Sequence, residues 1–171
     1  MKKLISMLLV LVMCTLALTS CGGVNGSPEA VVEAMLEVMT DYDVGGLKDL
    51  LPDDAWDELY EEMDVDEDEF WEDLEDEAKD MKEELEELDF YSVEYEIKDV
   101  DELDEDEVEE LNEELENYLK DDIEGAAIVE VEMTMTIEYE GEEIENDQEQ
   151  EFTVFKYDGK WYICPDDLDL F

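Results

Sequence analysis

Asp64, Asp66 and Asp68 alternate with Val65 and Glu67, and Glu75 stands twelfth counting from Asp64. Oxygen ligands at places one, three, five and twelve are the spacing of a calcium-binding EF-hand loop. The sixth place should be glycine, for the sharp turn, and is Glu69. Phe70 and Trp71 also begin a helical period inside the would-be loop. In a chain with 59 acidic residues such a match arises readily by chance. The preferred reading is a helix cap followed by a solvated acidic face. Asp64, Asp66, Asp68 and Glu75 stay as a weak calcium candidate, and no metal or cofactor site is assigned.

The other ingredients of chemistry are few. There is no histidine, and all nine basic residues are lysines. This removes the imidazole base, the Ser-His and Cys-His nucleophile pairs, and histidine metal sites. Ser27 and Ser92 are the only serines after residue 21. Carboxylates, tyrosines, lysines and thiols remain, and acids are too abundant for any catalytic pair to be singled out. The expectation is a protein that is not an enzyme. With a formal net charge of −50, the chain should repel nucleic-acid phosphates and anionic lipid headgroups alike.

Cys21 carries the most specific signal. Lys2 and Lys3 precede an apolar stretch, Leu4 to Leu18, interrupted by Ser6 and Thr15. This is the pattern of a secretory leader, and it is shorter than the roughly 20 residues of a membrane-spanning helix. Leu18-Thr19-Ser20-Cys21 resembles a lipobox. The resemblance implies cleavage before Cys21 and a diacylglyceryl group on its sulfur. Two acyl chains anchor a protein stably where one does not. The alternative is an ordinary leader with Cys21 in a disulfide. Gly22-Gly23 favours the lipid, since small residues make a flexible tether. Three cysteines are present. Cys14 would leave with the leader and Cys21 would be blocked, so Cys164 would stand alone. Its place after Trp161-Tyr162-Ile163 reads as core.

These readings divide the chain into a lipoprotein signal peptide (1–20), a flexible tether (21–26) and a single acidic domain (27–171). An apolar fraction of 44% with clear periodicity argues against disorder. Ser27 and Pro28 start a helix carrying Val31, Val32, Met35, Leu36 and Met39. Gly45-Gly46 should break the chain, before a short turn with Leu47, Leu50 and Leu51 that Pro52 ends. Asp53 should cap a helix with Trp56, Leu59, Tyr60 and Met63 inward. Asp66 and Glu69 suggest a capping box for a longer helix, with Phe70, Leu74, Ala78, Met81, Leu85 and Leu88 inward.

The period then changes to two. Tyr91, Val93, Tyr95 and Ile97 define one strand. Asp104 and Glu107 suggest a capping box for a helix carrying Val108, Leu111, Leu115, Leu119 and Ile123. Val129, Val131, Met133, Met135, Ile137 and Tyr139 alternate with Glu and Thr in the clearest strand, turned by Gly141. A strand over 149–157 follows. Asp158-Gly159 is a hairpin signal, and Trp161 to Cys164 form the last strand, ended by Pro165. The predicted class is α+β: N-terminal helices packed on one face of a curved antiparallel sheet of about four strands. An extra acidic helix is inserted after the first strand.

Ser27-Pro28-Glu29-Ala30-Val31-Val32 and Tyr157-Asp158-Gly159-Lys160-Trp161-Tyr162-Ile163 resemble segments of small Gram-positive lipoproteins with a cystatin-like, nuclear-transport-factor-like fold. The resemblance implies an N-terminal helix packed in a cone-shaped sheet and a location on the extracytoplasmic face of the cell membrane. Specific functions in that family are often unknown. Some members of the superfamily are enzymes, but no catalytic motif of theirs matches residues here.

The expected role is a lipid-anchored binding or interaction module whose partners are the membrane, through Cys21, and divalent cations or a basic protein. The alternative is a small-molecule binder, or an enzyme using a carboxylate and a tyrosine in a cone-shaped cavity. Trp56, Trp71, Tyr91, Tyr95 and Trp161 would line such a cavity if they are not core. The crowding of carboxylates predicts diffuse binding of divalent ions. It also predicts raised carboxyl pKa values, and so stability rising as pH falls from 7 toward about 5.

Overall fold

Ser27 is extended (φ −154°, ψ 165°), and its Oγ accepts the Ala30 N–H at 3.2 Å. Pro28 follows as the first residue of helix α1, Pro28–Asp41. This start is in the computed structural model, which describes residues 23–86, 90–139 and 142–168. The leader 1–20, Cys21, Leu88 and the Gly141 turn lie outside the described residues, as do the side chains of Leu85 and Tyr91.

α1 buries Val31, Val32, Met35, Leu36 and Val38. Met39, expected inward, is 36% exposed, and Val38 takes the inner position. The helix ends at Tyr42, which is left-handed (φ 56°). The break therefore falls three residues before Gly45-Gly46. Both glycines lie inside a 3₁₀ helix, Val44–Asp49. Gly46 serves close packing: a Cβ there would sit 2.5 Å from Val38 Cγ2.

α2, Asp53–Met63, has Pro52 as its N-cap, with no side-chain cap bond. Asp53 is the first helical residue rather than the cap, placing its charge at the positive end of the helix dipole. Ala55 and Trp56 are buried; Met63, expected inward, is 48% exposed. α3, Glu67–Glu86, buries Trp71, Leu74 and Ala78, with Phe70 half-buried. An aromatic cluster joins α2 to α3. Trp56 and Trp71 meet edge-on at 5.1 Å, and Trp71 Nε1 donates to Tyr60 Oη at 2.9 Å.

The sheet comprises β1 (Phe90–Glu102), β2 (Gly125–Tyr139), β3 (Glu142–Tyr157) and β4 (Lys160–Ile163). All pairings are antiparallel, in the order β1-β2-β3-β4. The class is α+β, and the sheet does not close into a barrel. A bulge interrupts β1 between Ile97 and Asp99. β3 starts at Glu142, seven residues before its expected start at 149. Its early half is rich in acids and amides, which disfavour strands intrinsically; pairing with β2 along its whole length overrides that preference. At Asp158-Gly159 both residues have positive φ (50° and 74°), the backbone of a tight two-residue hairpin.

α4, Glu105–Leu115, begins with the capping box expected. Asp104 Oδ1 accepts the Asp106 and Glu107 N–H groups, while Glu107 Oε2 accepts the Asp104 N–H at 2.8 Å. The helix stops at Leu115, two turns short of Ile123. The N–H groups of Tyr118 and Leu119 both reach the Leu115 carbonyl, and the Ile123 N–H bonds Asn112 Oδ1 at 2.8 Å. Ile123 is still buried, but from a loop.

Successive strand residues face opposite ways. Ala127, Val154 and Ile163 join the core with α1, α2 and α3; their neighbours Ala126, Phe155 and Tyr162 join a second core with Leu111 and Leu115 of α4. The helices therefore cover both faces of the sheet near β4, not one face as expected. The outer edge of β4 is also covered. Trp161 N–H bonds the Asn25 carbonyl and Ile163 N–H bonds the Leu50 carbonyl, both at 3.0 Å. Asn25 Nδ2 donates to the carbonyls of Trp161 (2.7 Å) and Asp49 (2.8 Å). The last residues of the expected tether are thus bonded to the domain.

The Val38–Gly46 contact can be tested. Gly46→Ala should cost about 1–3 kcal/mol by overpacking, measured by urea denaturation. Combined with Val38→Ala it should cost less than the sum of the two single losses. Additive losses would show that the contact is not tight.

Candidate functional site

No charged residue is buried among the described residues. The acids must therefore collect on surfaces, and the sheet gathers one set of them in register. Glu96 pairs with Glu132, which pairs with Glu149. Asp99 pairs with Glu130, which pairs with Glu151. Directly opposed strand residues share a face, so each row places three carboxylates side by side across three strands about 5 Å apart. Glu94, Thr134 and Asp147 form the next row, and Ser92, Thr136 and Glu145 the one after.

Like charges directly opposite one another destabilise a sheet. Lys98 offsets part of this, with Nζ 2.6 Å from Glu96 and 3.4 Å from Glu132. Both bonds raise its pKa. Thr134 Oγ1 donates to Asp147 Oδ1 at 2.8 Å. A shallow groove runs here, walled by Lys98, Glu130, Glu132, Glu149 and Glu151. This face continues beyond the part covered by α4, and its outer side chains meet water.

The weak calcium candidates do not converge. Asp64 is the left-handed cap that ends α2 (φ 56°), Asp66 precedes α3, and Asp68 and Glu75 lie along α3. All four side chains are exposed. Among the described residues, no group of three or more acidic or cysteine side chains is placed to hold a metal ion. Cys21 lies outside the described residues. No helix among them is long and apolar enough to cross a membrane.

Among the described residues, Tyr118 Oη donates to Glu62 Oε2 at 3.3 Å on the exposed surface, and a second tyrosine–carboxylate pair lines a cleft. Tyr157 Oη donates to Asp54 Oδ2 at 3.3 Å, and Asp54 also bonds Lys120. They sit at a cleft of about 250 Å³ beside Asn25, Lys48, Lys160 and Tyr162. Burial, then Asp54, pushes the Tyr157 phenol up from its ordinary value. A phenol shifted upward is a poorer proton donor near neutrality. The arrangement ties the end of β3 to the start of α2 and the loop after α4. Of the aromatics that might have lined a cavity, Trp56 and Trp71 are buried in ring contacts, and Tyr95 and Trp161 are half-buried against the core.

No protein-family model, curated protein or solved structure matches this chain. The surfaces themselves carry the argument. The carboxylate rows are not legible from apolar periodicity, which marks β3 only from 149. A signal was there: acids occupy every odd position from Glu143 to Glu151, a period of two written in charge.

Two titrations follow. Burial raises the Asp167 carboxyl, against the pull of the Thr153 N–H that it accepts at 2.6 Å. Burial also raises Glu33, with Glu37 and Glu29 adding repulsion. Burial is thus the first cause at both; repulsion comes next at Glu33 and last, from Asp166, at Asp167. A carboxyl raised in the fold stabilises fully below its unfolded value of about 4, and that contribution is lost as pH rises through the folded value. The melting temperature should climb as pH falls from 7 into that window, and less steeply in Glu33→Gln/Asp167→Asn. An unchanged slope in the double variant would remove these two groups as the source.

Cys164 is buried, and burial pushes its thiol up to about 11. Thiolate is the reactive form. Alkylation of Cys164 at pH 8 should be negligible in the native protein and complete in denaturant. Rapid native labelling would contradict its place in the core.

Proposed function

We propose that this chain is an exported lipoprotein, held at the extracytoplasmic face of the cell membrane by a diacylglyceryl group on Cys21. Its domain acts there as a non-catalytic binding module for cationic groups, either divalent ions or a basic protein. The observation that carries the binding role is the set of carboxylate rows on the solvent face of β1, β2 and β3, where Lys98 is the cation that bridges two strands. Such a surface concentrates cations within a Debye length, about 8 Å at physiological salt. The location rests on the leader pattern and the lipobox-like Leu18-Thr19-Ser20-Cys21.

The anchor and the acidity fit together. Asn25 is bonded to β4, so only residues 22–24 separate Cys21 from a fixed point of the domain. Three residues span at most about 11 Å. The domain would ride close to the headgroups, while its charge keeps it from lying on an anionic surface.

Intact-mass analysis of the protein from its native membranes tests location. The expected mass lacks residues 1–20 and carries a diacylglyceryl thioether on Cys21. An unmodified cysteine, or a retained leader, would overturn it. Thermal melts test binding. Calcium or magnesium at millimolar concentration should raise the melting temperature by more than sodium chloride at matched ionic strength. Equal shifts would reduce the effect to screening.

A further inference from the structure

β4 is only four residues long and pairs with β3 from Val154 to Tyr157. Cys164 N–H then bonds the Thr153 carbonyl at 2.9 Å, and Asp167 Oδ2 accepts the Thr153 N–H. Beyond this point, among the described residues, nothing pairs with the outer side of β3. Thr153 shows which way the backbone points, since both of its main-chain groups face the β4 side. The β2–β3 register steps singly from Lys156 to Glu142 with no bulge. Alternate residues therefore repeat that orientation. Glu151, Glu149, Asp147 and Glu145 turn their N–H and C=O groups outward, while Gln150, Gln148 and Asn146 bond β2.

An unpaired edge of this kind is a template for another strand. The other exposed edge, β1, is blunted by the bulge at Ile97/Asp99 and carries Lys98. The β3 edge has no bulge and no lysine over residues 142–155. Between 145 and 151, the residues whose main chain faces outward are all acidic. A second copy pairing there would set carboxylate against carboxylate across the new ladder. A strand with Lys or Arg at alternate positions would instead oppose each acid with a cation, while its main chain completes the four open residues.

We propose that the β3 edge from Glu145 to Glu151 captures an extended basic segment of a partner protein as an added antiparallel strand. The inference rests on the cation-binding reading above and names the partner that this face takes. The captured strand is read by its alternation. Residues opposite Glu145, Asp147, Glu149 and Glu151 exchange both main-chain bonds and place their side chains on the acidic face. The residues between lie beside Asn146, Gln148 and Gln150, with Ile144 flanking them on the same side. Ile144 is 49% exposed, and Met135, opposite Asn146, is 40% exposed, so this side favours small polar or apolar residues. Main-chain bonds give such a complex affinity and the alternating side chains give it specificity.

The probe is a capped Lys-Thr-Lys-Thr-Lys-Thr-Lys peptide, titrated into the isotope-labelled full chain at fixed ionic strength. Two controls keep its charge: the same peptide N-methylated at each lysine nitrogen, and a block peptide with four lysines followed by three threonines. The alternating peptide should bind at least tenfold more tightly than the N-methylated one. In the free protein the amides of Asn146, Gln148 and Gln150 should exchange slowly and those of Glu145, Asp147, Glu149 and Glu151 fast; the peptide should slow these four.

Glu149→Pro removes one outward N–H and one charge without touching the β2 ladder, and Glu149→Gln removes only the charge. The proline variant should lose more affinity than the glutamine variant. Equal binding by all three peptides, or no slowing at the four amides, would overturn edge capture and leave the acidic face as a diffuse cation binder. No binding by any of them would overturn edge capture and the basic-protein reading, while the calcium and magnesium melts decide the divalent-ion reading separately. Slow exchange at the four amides without peptide, growing with protein concentration, would overturn the proposal in favour of pairing between copies. If Glu149→Pro proves unfolded by circular dichroism, the peptide and exchange comparisons decide.

Discussion

Carboxylates that cannot be buried govern this structure. A charge moved into an apolar interior costs far more than folding can supply unless it is paired, and lysines are outnumbered 59 to 9. Nearly every element must therefore present one side to water. The helices meet this demand by amphipathicity, β2 by alternation, and the early half of β3 by being polar on both faces. The result is an apolar interior with no buried charge among the described residues. Some of the few cations pair with acids: Lys98 spans two strands, Lys156 reaches Glu124 at 3.4 Å, and Lys120 holds Asp54.

The same constraint divides the sheet into two zones. Near β4 it is covered on both faces, by α1 to α3 on one and α4 on the other. Its edge there is closed by Asn25 and Leu50. Farther along β2 and β3, acids replace apolar residues on the α4 side, and β4 has ended. The well-packed zone gives the domain its stability. The outlying ladder gains little from burial, so its shape is set by strand pairing and its character by charge. The cation binding proposed for this domain would act in that second zone.

The cleft at Asp54 and Tyr157 illustrates the opposite case. It holds a carboxylate, a phenol and lysines, the types that an acid–base site would use. The carboxylate and the phenol are already engaged within the fold. Tyr157 donates to Asp54, Asp54 bonds Lys120, and Asn25 is committed to two backbone carbonyls. Groups that complete one another in this way bind segments of the fold together.

Local chemistry was legible in the sequence. Ser27 and Pro28, the Asp104–Glu107 box, the Asp158-Gly159 turn and four of the five inward positions read for α1 (all but Met39) each depend on neighbours a few residues away. So does the α+β class, since it follows from where period 3.6 gives way to period two. What depended on distant partners was not legible. Gly46 looked like a break because Val38, its close neighbour in space, is invisible from its own surroundings. α4 looked two turns too long because Leu119 and Ile123 keep helical spacing, while the Ile123 N–H bonds the Asn112 side chain instead of a carbonyl one turn back. The early half of β3 lacks an apolar face and becomes a strand only against β2. The carboxylate rows exist only in that pairing, for residue types lie along the chain, whereas register, edge and coverage arise where separate strands meet.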